Sequence, residues 1–357
     1  MSDYILVERP NSICADLAQR ERLGVDTEFM RERTFFAELS LVQISAGTDI
    51  FCVDPLTGSD MQAFWETVAA RPWVVHSARQ DIEVIYQTAQ CMPACIFDTQ
   101  IAAGLLGLAP QLGYASLVSE LFEVEIPKTH TRADWSKRPL ADALLHYAAE
   151  DVQYLLPAYE RLTEELDRKG RLQWAIEDSA MLLEPSLYSV DPAQAIDRLK
   201  GARNLRGRGR AAAARLAAWR EGEALRSNRP RQWIIKDAAL ISLALERPAN
   251  VEDLQHIDGL PPGLIRRAGR DILAAIRTAG IDNSDYTPPR APDDAQKSLL
   301  KRMQKQVARC AEELGLAAET VASKRDLAAI IIGGSRDSRL LSGWRRELIG
   351  EQLLGLL

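Results

Sequence analysis

The chain is short of the residues that build several common kinds of site. Its five cysteines are an odd set, and Cys91 and Cys95 fit neither a CxxC pair nor a zinc-ligand spacing. That leaves reduced structural thiols, and argues against a disulfide framework or a structural zinc. Only four histidines occur among 357 residues, and His76 and His130 have no partner at metal-ligand spacing. No run approaches the roughly 18 uninterrupted apolar residues of a membrane span. The opening residues 1–10 lack a basic segment followed by a long apolar stretch, so a cytoplasmic protein without a secretory leader is expected. Nor is positive charge in excess: 44 Lys and Arg against 50 Asp and Glu give a net charge of −6. The balance is uneven, however. Between Arg198 and Arg231 run Lys200, Arg203, Arg206, Arg208, Arg210, Arg215, Arg220, Arg226 and Arg229, opposed mainly by Glu221 and Glu223. Such a strip reads either as a solvated helix face or as a phosphate-binding surface.

What the chain does have is a patterned set of carboxylates. In Leu23-Gly-Val-Asp26-Thr-Glu28-Phe29, the residues Val25, Thr27 and Phe29 alternate with Asp26 and Glu28, which is the period of a strand. Both acids therefore project from one side of a sheet, where two like charges raise each other's pKa unless a cation neutralises them. Hard divalent ions with oxygen ligands do this. Asp81 and Tyr147-Ala-Ala-Glu-Asp151 supply further acids and a tyrosine from two other segments. The combination points to a two-metal site that hydrolyses phosphodiesters. The residues around Tyr147 also include His146. If one helix starts near Pro139 and runs to about Arg168, Tyr147 lies about 40° around the axis from Asp151 and His146 about 140° away, so only Tyr147 shares a cleft with Asp151.

The order of elements is legible too. A short helix after Ser12 precedes three strands at Leu23–Phe29, Glu38–Ser45 and Thr48–Val53, with Arg31–Phe36 as a turn. Helices and strands then alternate: helix near Met61–Ala70, strand Trp73–His76, helix Arg79–Gln90, strand Cys95–Asp98, helix Thr99–Leu106. A meander passing into alternation implies a mixed sheet with helices packed on it. Asp98-Thr99-Gln100 reads as a helix cap. From about Gly201 the pattern is all helical, and Asp282 to Asp294, with Pro288, Pro289 and Pro292, reads as a linker.

With these motifs in their order and spacing, the chain resembles the DEDD exonucleases and, within them, the ribonuclease D family. The resemblance rests on Asp26-Thr-Glu-Phe-Met-Arg31-Glu-Arg33-Thr34-Phe35, Leu39-Ser-Leu41-Val-Gln43-Ile44, His76-Ser-Ala-Arg-Gln-Asp81 and Lys128-Thr-His-Thr-Arg132-Ala-Asp-Trp135-Ser-Lys137-Arg138-Pro139. Further on, Asn228-Arg-Pro230-Arg-Gln-Trp233-Ile-Ile-Lys236 resembles the helicase-and-ribonuclease-D C-terminal (HRDC) module, and Gln296 to Leu357 a second, divergent one. The resemblance implies an α/β ribonuclease H-like exonuclease domain over 1–205, followed by two small all-α HRDC-type domains at 206–287 and 288–357. It implies the tyrosine subclass, with Asp26, Glu28, Asp81, Tyr147 and Asp151 as catalytic residues.

The four acids would hold two divalent ions, Mg or Mn. Asp26 would bridge them, Glu28 and Asp151 would complete the water-activating ion, Asp81 would hold the second, and Tyr147 would orient the attacking water. Thr27, Phe29, Gln43, Lys128, Arg132 and Lys137 are the candidate substrate contacts, although Phe29 also fits plain core packing. The implied activity is 3′→5′ exoribonucleolysis releasing nucleoside 5′-monophosphates, with tRNA precursors or other structured or single-stranded RNA 3′ ends as partners. Neither a small-molecule cofactor nor a membrane is expected. A DNA 3′-exonuclease of repair and a catalytically silent nucleic-acid scaffold are the alternatives. A contact to the 2′-OH would separate RNA from DNA, and intact carboxylates argue against the scaffold.

Overall fold

A computed structural model describes residues 3–127, 133–280, 292–333 and 338–357. It resolves into two compact units. One comprises Met1–Met30, Glu38–Tyr188 and Pro292–Leu357, the other Arg31–Ala37 and Ser189–Ala291.

The first unit is built on a six-stranded mixed sheet. In chain order its strands are β1 (Ile5–Val7), β2 (Leu23–Met30), β3 (Glu38–Ala46), β4 (Asp49–Val53), β5 (Trp73–Val75) and β6 (Ile96–Asp98), and in space they run β1-β4-β3-β2-β5-β6. The meander β2-β3-β4 is antiparallel, while β5 and β6 join it in parallel after helical crossovers. The short edge strand β1, parallel to β4, is absent from the sequence reading: with three residues and Ile5 and Leu6 exposed, it carries almost no periodic signal.

Seven helices matter for the site: α1 (Gln62–Ala69), α2 (Arg79–Ala89), α3 (Thr99–Leu106), α4 (Tyr114–Phe122), α5 (Asp142–Gln153), α6 (Leu155–Arg168) and α7 (Leu172–Ala180). Leu145, Ala148, Ala149 and Val152 of α5, with Leu155, bury against Leu41, Ile50, Cys52 and Val74 of the sheet.

Two expectations about this region need correction. The helix does not begin at Pro139 but at Asp142, capped by Ala141. Residues before it are pinned instead by Arg138, whose guanidinium donates to both oxygens of buried Asp54 at 2.5 and 2.7 Å and to the Ser40 carbonyl at 2.6 Å. Nor is the helix continuous to Arg168. It breaks at Tyr154, because Pro157 has no N–H for the carbonyl of Gln153 and its ring would collide with that carbonyl. At the break the N–H of Tyr154 donates to the hydroxyl of Tyr114 at 2.9 Å.

The C-terminal helices α11 (Asp294–Leu314) and α12 (Lys324–Gly333) also belong to the first unit. Trp344 stacks on Trp174 at 4.4 Å and 7°, and buried Arg345 donates to the Asp178 carboxylate at 2.7 Å and to the carbonyls of Thr320 and Val321.

The second unit packs α8 (Gly207–Ser227), α9 (Asp237–Glu246) and α10 (Pro262–Thr278) around Leu216, Leu240, Leu243, Leu254 and Ile272. Phe35 enters this core, and Asn228 Oδ1 accepts the N–H groups of Phe35 and Phe36 at 3.0 and 3.2 Å. Part of the arginine strip is internal. Arg220 is buried against Asp237 at 2.6 Å, and Arg231 forks onto buried Glu221 at 2.5 and 2.6 Å. Arg203, Arg206, Arg208, Arg215, Arg226 and Arg229 are exposed.

Candidate active site

Strand β2 lies between β3 and β5, so its acids start from the middle of the sheet. Asp26 faces the fields of Asp81, Asp151 and Glu28, and its carboxyl accepts a hydrogen bond from the Thr27 backbone, which pulls the other way. Burial first, then those three like charges, push its pKa well above the carboxylate range. Glu28 is pushed up to about 8 by burial and by Asp151 and Asp81.

Asp81 sits in the first turn of α2, buried, and is pushed up to about 6 by that burial. The hydroxyl of Thr27, itself buried, donates to Asp81 Oδ1 at 2.5 Å and partly offsets the rise. The turn leading into α2 is held by Asp98, whose carboxylate accepts the N–H groups of Ser77 at 3.1 Å and Ala78 at 2.9 Å. The same carboxylate caps α3 through Gln100 and Ile101, as expected of it.

Asp151 and Tyr147 stand one turn apart on α5, and the Tyr147 hydroxyl donates to the Asp151 carboxylate. Asp151 is raised to about 7 by burial, against the pull of that hydrogen bond. The phenol is shifted upward, by burial and then by Asp151 and Glu28, so at neutral pH Tyr147 is a protonated donor. His146 turns away, its ring edge-on to Tyr4 with centroids 4.9 Å apart. One cavity of about 50 Å³ is lined by Asp26, His76, Tyr114, Asp151 and Leu155. Larger ones in this unit, of about 530 and 920 Å³, contain none of the four acids, so chemistry and not cavity size locates the site.

The four acids come together without closing a coordination shell: among the described residues, no three acidic, His or Cys side chains are placed to share one ion. Their chemistry nonetheless fits a hard divalent cation. The donors are all carboxylate oxygens, each is destabilised as an anion, and among the described residues no Lys or Arg is a leading influence on any of them.

The other expected contacts are scattered. Phe29 is partly exposed just past an irregularity in the β2–β3 pairing between Glu28 and Phe29. Lys137 is a surface side chain, 80% exposed and 3.7 Å from Asp134. Thr27 is spent on Asp81, and Gln43 is 0% exposed, so neither offers a surface to a substrate. Lys128 and Arg132 lie outside the described residues.

Sequence reasoning does not single out Tyr114 or give a role to His76. The His76 ring bridges the Thr99 hydroxyl and the Leu112 carbonyl, both at 2.9 Å, and burial lowers its pKa toward the neutral form. Tyr114 belongs to no spaced motif, and His76, although it opens the segment that ends in Asp81, has no partner at ligand spacing to signal a role.

Comparison with known proteins decides the family. A 3′-5′ exonuclease family model matches residues 7–167, and an HRDC domain model matches residues 210–276. Ribonuclease D of Acidiphilium cryptum is 38% identical over 97% of this chain and 90% of its own length. The chain belongs to the ribonuclease D family. Ribonuclease D of Pseudomonas paraeruginosa is 35% identical over 96% of this chain and 94% of its own. Among solved structures, Escherichia coli RNase D, described as an exoribonuclease involved in structured RNA processing, superposes with a TM-score of 0.90 at 27% identity. That match covers 99% of this chain and 98% of that one. The expected architecture, a mixed-sheet exonuclease domain followed by helical HRDC material, is thereby met. No helix among the described residues is long and apolar enough to cross a membrane.

Proposed function

We propose that this ribonuclease D family 3′→5′ exoribonuclease trims the 3′ ends of tRNA precursors and other structured RNAs in the cytoplasm, using two divalent ions, Mg or Mn. The observation that carries the reading is the cluster of Asp26, Glu28, Asp81 and Asp151, four acids raised by burial and, for Asp26 and Glu28, by their neighbours' charge, with Tyr147 bonded to Asp151. Asp26 would be shared by both ions, Glu28 and Asp151 would complete one, and Asp81 would serve the other. When bound, such cations neutralise phosphodiester charge as Lewis acids and lower the pKa of a nearby water. Tyr147, a protonated donor, orients the attacking water and does not take its proton. The exposed arginines of the second unit supply sequence-independent grip on the RNA backbone. The functional divisions we propose are 1–205, 206–287 and 288–357.

Two measurements test this. Matched 5′-labelled RNA and DNA single strands should be incubated with Mg²⁺, Mn²⁺ or EDTA. A metal-dependent ladder that shortens RNA from its 3′ end is expected, whereas preferred cleavage of DNA would overturn the RNA assignment. Separately, Tyr147→Phe should lower kcat on the order of 10²-fold through loss of water orientation. His146→Ala, on the opposite side of α5, should leave kcat within about twofold, as expected of a residue outside the site. A reversal of these two effects would place the histidine, not the tyrosine, in the site.

A further inference from the structure

Gln43 presents an unusual combination. It is 0% exposed, and neither its Nε2 nor its Oε1 has a hydrogen-bond partner. Leaving such an amide unsatisfied costs about 1–3 kcal/mol, and a leucine or methionine would fill the space without that cost. The antiparallel register places Gln43 directly opposite Asp26. Cross-strand partners point to the same face with Cβ atoms about 4.5–5.5 Å apart, within reach of a glutamine amide. Two residues along the same face, the Ser45 hydroxyl is also buried without a partner, so the polar character is a strip and not a single accident. Above that strip Gly24 faces Ser45, and a Cβ on Gly24 would come within 2.2 Å of Ser45 Oγ.

Direct contact with RNA is excluded by burial, so the amide must serve another protein group. Asp26 is the adjacent acceptor: it faces Gln43 across the strand pair, and its carboxyl receives the Thr27 N–H. Carboxylates that ligate metals are themselves fixed by hydrogen bonds from the next layer of side chains. We propose that Gln43 is a positioning residue: its amide, unpartnered here, turns its Nε2 onto the facing Asp26 carboxylate as a divalent cation binds, and fixes that carboxylate in the orientation that receives the ion. The proposal rests on the metal-site reading given above. Gln43 touches neither substrate nor ion; it acts through Asp26 alone.

The test is Mn²⁺ binding to the full chain by titration calorimetry, with thermal melting in EDTA alongside. Gln43→Met keeps the volume and removes the amide. It should melt in EDTA at or above the temperature of the parent, and bind Mn²⁺ some 10–100-fold more weakly, the range found for such supporting groups. Its KM for RNA at saturating Mn²⁺ should be unchanged. Gln43→Glu, which keeps the shape but adds a charge that cannot donate when ionised, should bind Mn²⁺ no better. Asp26→Asn is the control. If Asp26→Asn loses Mn²⁺ binding while Gln43→Met keeps the parental affinity, the positioning role is overturned and the metal site stands. If Asp26→Asn binds Mn²⁺ like the parent, the metal-site reading itself fails. A raised KM for RNA in Gln43→Met with Mn²⁺ affinity unchanged would likewise overturn the positioning role.

Discussion

Replacing Asp26 by Asn should remove turnover almost completely, a loss on the order of 10³-fold or more in kcat, while RNA binding stays within about twofold. The expectation follows from where Asp26 sits. Of the four acids it is the one on which all three others act, so it is the natural group to be shared between two cations. Asparagine has nearly the same shape and can still accept the Thr27 N–H, so the local backbone has no reason to move. It cannot supply the negative charge that a hard cation requires. In the metal-free protein it also takes one ionisable carboxyl out of a buried acidic cluster, so the melting temperature in EDTA should hold, and rise where the cluster is ionised. The informative experiment pairs single-turnover hydrolysis with a filter-binding or anisotropy measurement in EDTA. A variant that lost activity and folding stability together would show Asp26 to be a structural residue and would sink its assignment to the metal site.

Much of this site is legible in the amino-acid sequence, because its acids lie on elements with strong local periodicity. Asp26 and Glu28 alternate with Val25 and Thr27 on a long central strand, and Tyr147 and Asp151 are a helical turn apart. Geometry within one element carries over to three dimensions with little change. Features set by distant partners are not legible in this way. Arg31–Phe36 has the composition of a turn, yet Phe35 buries in the second unit's core because Asn228, nearly 200 residues away, takes up its N–H and that of Phe36. Tyr114 offers no motif; its hydroxyl takes the N–H of Tyr154, 40 residues further on, at the break between the two helices. That break itself is signalled in the sequence by Pro157, and is obscured by an apolar pattern that runs unbroken across it. Gln43 reads as a substrate contact from its place beside the acidic strand, whereas it is fully buried, since burial cannot be read from a polar residue in a strand.

The pH dependence of stability should expose the cluster without any assay of activity. A carboxyl whose pKa is higher in the folded than in the unfolded chain binds its proton more tightly when folded. Stability contributed by that proton is present at low pH and is lost as pH rises from the unfolded value, about 4, through the folded one. Here the folded values rise to about 6 for Asp81, about 7 for Asp151 and about 8 for Glu28. The window in which the cluster weakens the metal-free protein is therefore about pH 4 to 8. In EDTA the melting temperature of the parent should decline across the upper part of that window relative to Glu28→Gln, which removes one charge and relieves Asp151. Divalent cations compete with protons for the same oxygens, so their benefit should run the other way and grow with pH. Mn²⁺ at about 100 times its dissociation constant should add about 2.7 kcal/mol, and at a fixed concentration it should stabilise the parent more at pH 8 than at pH 6. Parallel melting profiles for parent and Glu28→Gln in EDTA would mean that these acids are not coupled in the folded chain. A Mn²⁺ stabilisation independent of pH would mean that the ion binds somewhere other than these carboxylates.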